Sequence, residues 1–227
     1  MTTVGGKCFV LEMGCSILMR KLIAVYSAML LFIATDYASA RSEFFKRSED
    51  ISIRFEIEDR KLGNYIKSYF NIITTFHESN VSAGGLANLI ILESEGLVAN
   101  GVLDGEKVRS FGLSDEVVTE LQSSDTWASG CGTYLYVNNS GYIASSITII
   151  DGSTPFHVKV NCSVVGVGKS FGLSLSTTPE STQYYLMYAL IYALASRACG
   201  TDPLYRSCVE SELSGFISDF SAVFGMQ

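Results

Sequence analysis

Apolar positions first fall into strict alternation at Ile51, Ile53, Phe55 and Ile57, with Ser52, Arg54 and Glu56 between them. A period of two puts the two sets on opposite faces, so Ile51–Ile57 reads as a half-buried strand. The period then lengthens. Leu62, Tyr65, Ile66, Tyr69, Phe70, Ile72, Ile73 and Phe76 recur every three or four residues and predict a helix over 62–76. The compact apolar run 86–92 predicts a central strand. A short helix follows over 114–121, capped by Ser114 with Asp115 and Glu116 in its first turn.

Two β-rich runs, 133–137 and 142–150, flank Asn138-Asn139-Ser140-Gly141, residues suited to a hairpin turn. The stretch 158–171 reads as a helix weakened by Gly166 and Gly168. The stretch 184–195 is apolar all round yet too short for a bilayer, which marks a buried helix. A last helix over 207–224 places Val209, Leu213, Phe216, Ile217 and Phe220 on one side. This order predicts an α+β fold: a small twisted sheet with a hairpin, packed by helices, and a helical C-terminal half.

The chain opens differently. Met19-Arg20-Lys21 precedes an unbroken small and apolar run over 22–33, and Ala38-Ser39-Ala40 stands just before Arg41. A basic start, an apolar core of about 12 residues and an A-x-A exit describe a secretory signal peptide over 19–40. Residues 1–18, with Cys8 and Cys15, read as an over-extended N-terminus, and 41–227 as a single secreted domain.

Composition narrows the partners. With 48% hydrophobic and 17% charged residues the chain is too apolar for disorder. Sixteen Lys and Arg against 23 Asp and Glu give a net charge of −7, and no basic run supplies the phosphate contacts that nucleic-acid binding requires. Export also changes how the cysteines read. Cys131, Cys162, Cys199 and Cys208 remain, an even number with three connectivities in an oxidising compartment. The favoured pairs are Cys131–Cys162, tying a strand to the segment after the hairpin, and Cys199–Cys208, closing a short loop with Pro203. The competing reading is zinc, but the spacings lack the short C-x2-C knuckle of structural sites.

Candidate chemistry is sparse. His77 reads as a solvated imidazole at a helix end, and His157 as a residue where a loop enters a helix. Neither forms a metal-binding pair at helical spacing, and G-x-S-x-G is absent. Glu56, Glu58 and Asp59 read as the wet face of a strand or its end. Glu93 and Glu95 follow a buried strand, where sheets often open onto sites, so with His157 they form the candidate site of an alternative: a periplasmic hydrolase with an unrecognised centre. Gly166 to Ser170 superficially resembles a phosphate loop without its spacing. Tyr184, Tyr188 and Tyr192, every fourth residue, read as core packing with hydroxyls at the edge. The sequons at Asn80, Asn138 and Asn161 matter only in a eukaryotic secretory host.

The stretch 162–174, CSVVGVGKSFGLS, resembles the bacterial secreted proteins catalogued as domain of unknown function 2927. Cys162 and Gly172-Leu173 match in identity and spacing. Cys131 before the hairpin, the turn residue Gly141 and Asp202-Pro203-Leu204-Tyr205 are also similar, and the likeness runs over roughly 51–220. The resemblance implies a zincin-like core of strand, helix, strand, hairpin and active-site helix. A working zincin carries H-E-x-x-H on that helix, two His binding zinc and a Glu activating water. In the register fixed by Gly172 those positions fall on Val165, Gly166 and Lys169, which offer neither ligand nor base. The chain also departs there from the family's own Glu-Glu and Gln pattern, so no catalytic residue carries over. The expectation is an exported, non-catalytic domain without a cofactor, acting on an unknown protein or envelope ligand or as a cell-envelope component. It has no membrane span after signal cleavage.

Overall fold

Parallel pairing dominates the sheet. The computed structural model describes residues 43–47, 50–77, 79–82, 86–174, 182–200 and 202–223. The expected leader, Cys8 and Cys15 lie outside them. In chain order the elements are β1 (Glu43–Phe44), β2 (Lys46–Arg47), β3 (Ile51–Ile57), α1 (Arg60–His77), β4 (Val81–Ser82), β5 (Leu89–Ser94), β6 (Val98–Ala99) and β7 (Val102–Leu103). Then come α2 (Gly105–Ser110), α3 (Asp115–Gln122), a 3-10 turn at Asp125–Trp127, β8 (Cys131–Val137), β9 (Tyr142–Asp151), α4 (Phe156–Ser170), β10 (Leu173–Ser174), α5 (Thr182–Ala198) and α6 (Tyr205–Val223).

Five strands form the main sheet in the order β4, β3, β5, β9, β8, and only β8 runs antiparallel. The two-residue β2 adds alongside the start of β9. This is a mixed, mostly parallel α/β sheet with a helical C-terminal part, which corrects the α+β expectation. Strand β5 shows why. Ile90 and Leu92 pack with Val108 of α2, Val118 and Leu121 of α3, Trp127, Ile147 and Ile149, while Glu93 faces Lys159 of α4. Both faces are covered, so the strand is a continuous apolar run rather than an alternating one.

Local chemistry sets the boundaries. The Asp59 carboxylate accepts from the amides of Lys61 and Leu62 at 2.9 and 3.1 Å and starts α1. Asp104 does the same for the short α2, an element with too few turns to show a period. Asn138 Oδ1 accepts from the amides of Ser140 and Tyr142, and Gly141 has φ 79°, which closes the expected hairpin. Two expectations shift. The run 86–92 becomes a strand only at Leu89, and Leu86 is 97% exposed. Ile53 is 36% exposed rather than buried, and it lines a groove that runs from β3 to Gly112 and Leu113, just before α3.

Among the described residues two disulfides are present: Cys131–Cys162 joins β8 to α4, and Cys199–Cys208 joins the loop after α5 to α6. Each restricts the unfolded chain, a contribution of about 2–4 kcal/mol, and together they point to an oxidising, extracytoplasmic environment. Among the described residues no helix is long and apolar enough to cross a membrane. Arg41–Leu213 form one compact unit, and Ser214 onward, the end of α6, falls in a second.

Candidate functional site

The carboxyl ends of parallel strands are where α/β sheets usually place ligands. Here that edge carries Glu58, Asp59, Glu93, Glu95 and Asp151. Glu93 is buried at 2% side-chain exposure. Its Oε1 accepts from Lys159 Nζ at 2.6 Å, and its Oε2 accepts from the amides of Glu58 and Asp59 at 2.9 Å each. A carboxylate holding three donors in a closed setting is a structural anchor, with little capacity left to move a proton.

Its neighbours are similarly engaged. Glu58 accepts from the Ser94 hydroxyl at 2.7 Å, and Asp59 caps α1. Asp59 is half-buried at the strand's end, and its carboxylate also serves the helix start. Asp151 is buried and accepts from the amides of Val98 and Ser153 at 2.9 Å. Burial pushes its pKa up, but bonds from the Ser153 hydroxyl and the Val98, Ser153 and Leu97 amides outweigh that and hold the carboxyl below its usual range.

β5 ends at Ser94 and the chain turns at Gly96, φ 72°, leaving Glu95 exposed, while His157 is exposed in the first turn of α4. The described hydrogen bonds join neither side chain to Glu93. The sequence reading missed Lys159, which is what occupies Glu93. The available signal was its place on one helical face with Ser163, Gly166, Val167 and Ser170, all buried.

The second half of α4 explains its own glycines. A Cβ on Gly166 would lie 2.8 Å from Thr148 Cγ2 and 3.0 Å from Thr133 Oγ1. Those two threonine hydroxyls bond each other at 3.0 Å across β8 and β9. A Cβ on Gly168 would lie 2.6 Å from the Tyr185 ring. The glycines are contact points where helix meets sheet and helix meets α5. The stretch that resembles a phosphate loop lies within α4, so its amides point along the helix rather than into a cradle. Lys169 is half-buried, and that burial lowers its pKa. Gly166→Ala should cost about 1–3 kcal/mol through overpacking; a thermal melt unchanged from wild type would refute this packing account.

His77 is half-buried, and both ring nitrogens are engaged. Its Nε2 bonds Ser196 Oγ at 2.8 Å, its Nδ1 bonds Ser79 Oγ at 2.6 Å, and its ring lies 5.2 Å from that of Phe171. The Ser196 hydroxyl meets Tyr205 OH at 2.6 Å, which meets Tyr192 OH at 3.0 Å. Tyr192, one of the three spaced tyrosines, also donates to the carbonyls of Phe45 and Phe171. A serine against an imidazole has the outline of an activated nucleophile, but the charges oppose that role. Burial, and then the positive Arg47, lower the His77 pKa to about 4. Ser79 orients the ring where a triad has a carboxylate, so the imidazolium that a general base must become is disfavoured.

This shift carries a stability consequence. The folded state holds His77 neutral, whereas the unfolded chain takes up the proton below about pH 6.5. The stabilisation is complete above that pH and is lost as pH falls toward 4, by about 3 kcal/mol in total. Urea titrations at intervals from pH 7 to 4 should show the decline, and His77→Gln should flatten it between pH 6.5 and 5. An unchanged slope in that variant would sink the assignment.

Two surface depressions lie among the described residues. A groove of about 970 Å³ is lined by Ile53, Arg54, Val81, Leu86, Leu113 and Val117 among others, with Arg54 Nε already bonded to Glu56 at 2.6 Å. A second, of about 560 Å³, gathers Asp115, Glu116, Glu120 and Tyr136. At Tyr134, a neighbour on β8, the hydrogen bond to Glu120 pushes the phenol up to about 12. Among the described residues no three of His, Cys, Asp and Glu gather closely enough to hold a metal ion. No protein-family model, curated protein or solved structure matches this chain.

Proposed function

We propose that the chain is an exported, non-catalytic domain on a zincin-like scaffold that acts by binding a protein or envelope ligand. The order of elements supports the scaffold: a strand, the helix α1, parallel strands, the β8–β9 hairpin and then the helix α4. Gly172 supports the register, because it leaves α4 at φ 107°, where the chain must turn sharply.

One observation carries the absence of catalysis. At the position where a zincin needs its general base, Gly166 is pressed against Thr148 and Thr133 with no room for a side chain. Val165 and Lys169 stand at the two ligand positions, one without a donor atom and one bearing a cation that repels Zn²⁺. These residues do not fit the metal. The disulfides support placement outside the cytoplasm.

The test is metal content and proteolysis together. Mature protein equilibrated with zinc and then desalted should retain less than stoichiometric metal. It should also show no peptidase activity that a chelator removes. One tightly held zinc per chain, or chelator-sensitive cleavage, would overturn the proposal.

A further inference from the structure

The polar chain around His77 is a partly buried cluster that bridges separate parts of the fold. His77 is the last residue of α1, Ser196 lies in the last turn of α5, and Tyr205 is the first residue of α6. Their side chains bond in series at 2.8 and 2.6 Å, and Ser196 is 4% exposed. The Cys199–Cys208 disulfide lies beside this junction and ties the end of α5 to α6.

The surroundings set the response to acid. Arg47 of β2 raises the positive potential at the ring. Lys46, also of β2, stands 6.0 Å above the Tyr205 ring and donates to the Gly200 carbonyl. Ser196 meets the ring from α5 and Phe171 from the end of α4, with Tyr205 of α6 and Tyr192 of α5 linked in turn beyond Ser196. Among these described neighbours the charged groups are both cations. A neutral imidazole satisfies both hydroxyls, one as acceptor and one as donor. An imidazolium there is a partly desolvated cation in the positive potential of Arg47, and opening the junction to water relieves it.

We propose that His77 is an acid-sensitive latch whose protonation releases the disulfide-tied junction of α5 and α6 from the end of α1 while the sheet stays folded. The release is local because β5 and β9 are held by pairing with each other and with β3 and β8.

Hydrogen exchange resolved by residue, with rates corrected for intrinsic pH dependence, tests this on the full mature chain. Between pH 6.5 and 4 the protection of amides at the end of α5 and in residues 205–213 should fall at least tenfold, with β5 and β9 unchanged. In His77→Gln, whose amide keeps a donor and an acceptor, that fall should vanish. NMR titration of the His77 ring in wild type should show a midpoint below 5, coinciding with the loss of protection. The latch is refuted by a fall that persists in His77→Gln, by β5 and β9 opening in step, or by a His77 midpoint near 6.5. The ring titration decides the matter if the variant does not fold.

Discussion

Glu93→Gln should lower the unfolding free energy by about 3–5 kcal/mol, among the largest losses expected for a single side chain here. The substitution is nearly isosteric, so packing is not its cause. It removes the counter-charge from an ammonium that is 8% exposed and bonded to Glu93 at 2.6 Å. The double variant Glu93→Leu with Lys159→Met separates the contributions. With no charge left to bury it should recover part of the loss. Recovery stops short of wild type because the amides of Glu58 and Asp59 lose their acceptor. Urea unfolding of the three proteins measures this. A Glu93→Gln loss below about 1 kcal/mol would show that water reaches the pair.

Gly172→Ala should cost at least about 3 kcal/mol, for two reasons that add. A Cβ would fall within van der Waals contact of the Phe45 carbonyl oxygen, which is backbone and cannot rotate away, and would lie 2.6 Å from Tyr192 OH. The residue also sits at φ 107°, beyond the region that Asn tolerates. Phe45 donates its amide to the Gly172 carbonyl at 3.0 Å, so any shift breaks the link between the β1–β2 segment and the end of α4. Gly172→Asn should be no milder than Gly172→Ala. If Asn rescued stability, conformation alone would be the requirement and the close approach of Phe45 would be immaterial.

The elements that could be read in advance are those whose own residues decide them. Ser114 with Asp115 and Glu116 starts α3 by local capping, and Asn138 with Gly141 closes the hairpin by local turn chemistry. The stripe Leu62, Ile66, Phe70 and Ile73 is buried because a helical period needs no knowledge of its partner. The parallel sheet was not legible. Parallel strands pair across long crossovers, and nothing within β5 names β3 and β9 as its neighbours.

The candidate chemistry divides along the same line. Glu93 stood out at a strand end, but whether it was a general base or an anchor depended on Lys159, 66 residues away. His77 looked solvated because a helix terminus usually is. Its burial comes from Ser196, 119 residues on, and from Phe171. The glycines of α4 looked like helix weakness, because propensity sees only the chain. Their role appears with Thr148, Thr133 and Tyr185 packed against them.

By itself, the sequence determined five of the six helices, the hairpin and an even set of cysteines with a favoured pairing. Periodicity, capping and side-chain identity are properties of a few neighbouring residues. Only the tertiary structure decided the strand order, the closed Glu93–Lys159 pair and the partly buried chain from Ser79 through His77 to Tyr192. Burial and charge pairing belong to groups that meet in space, and distance along the chain does not encode them.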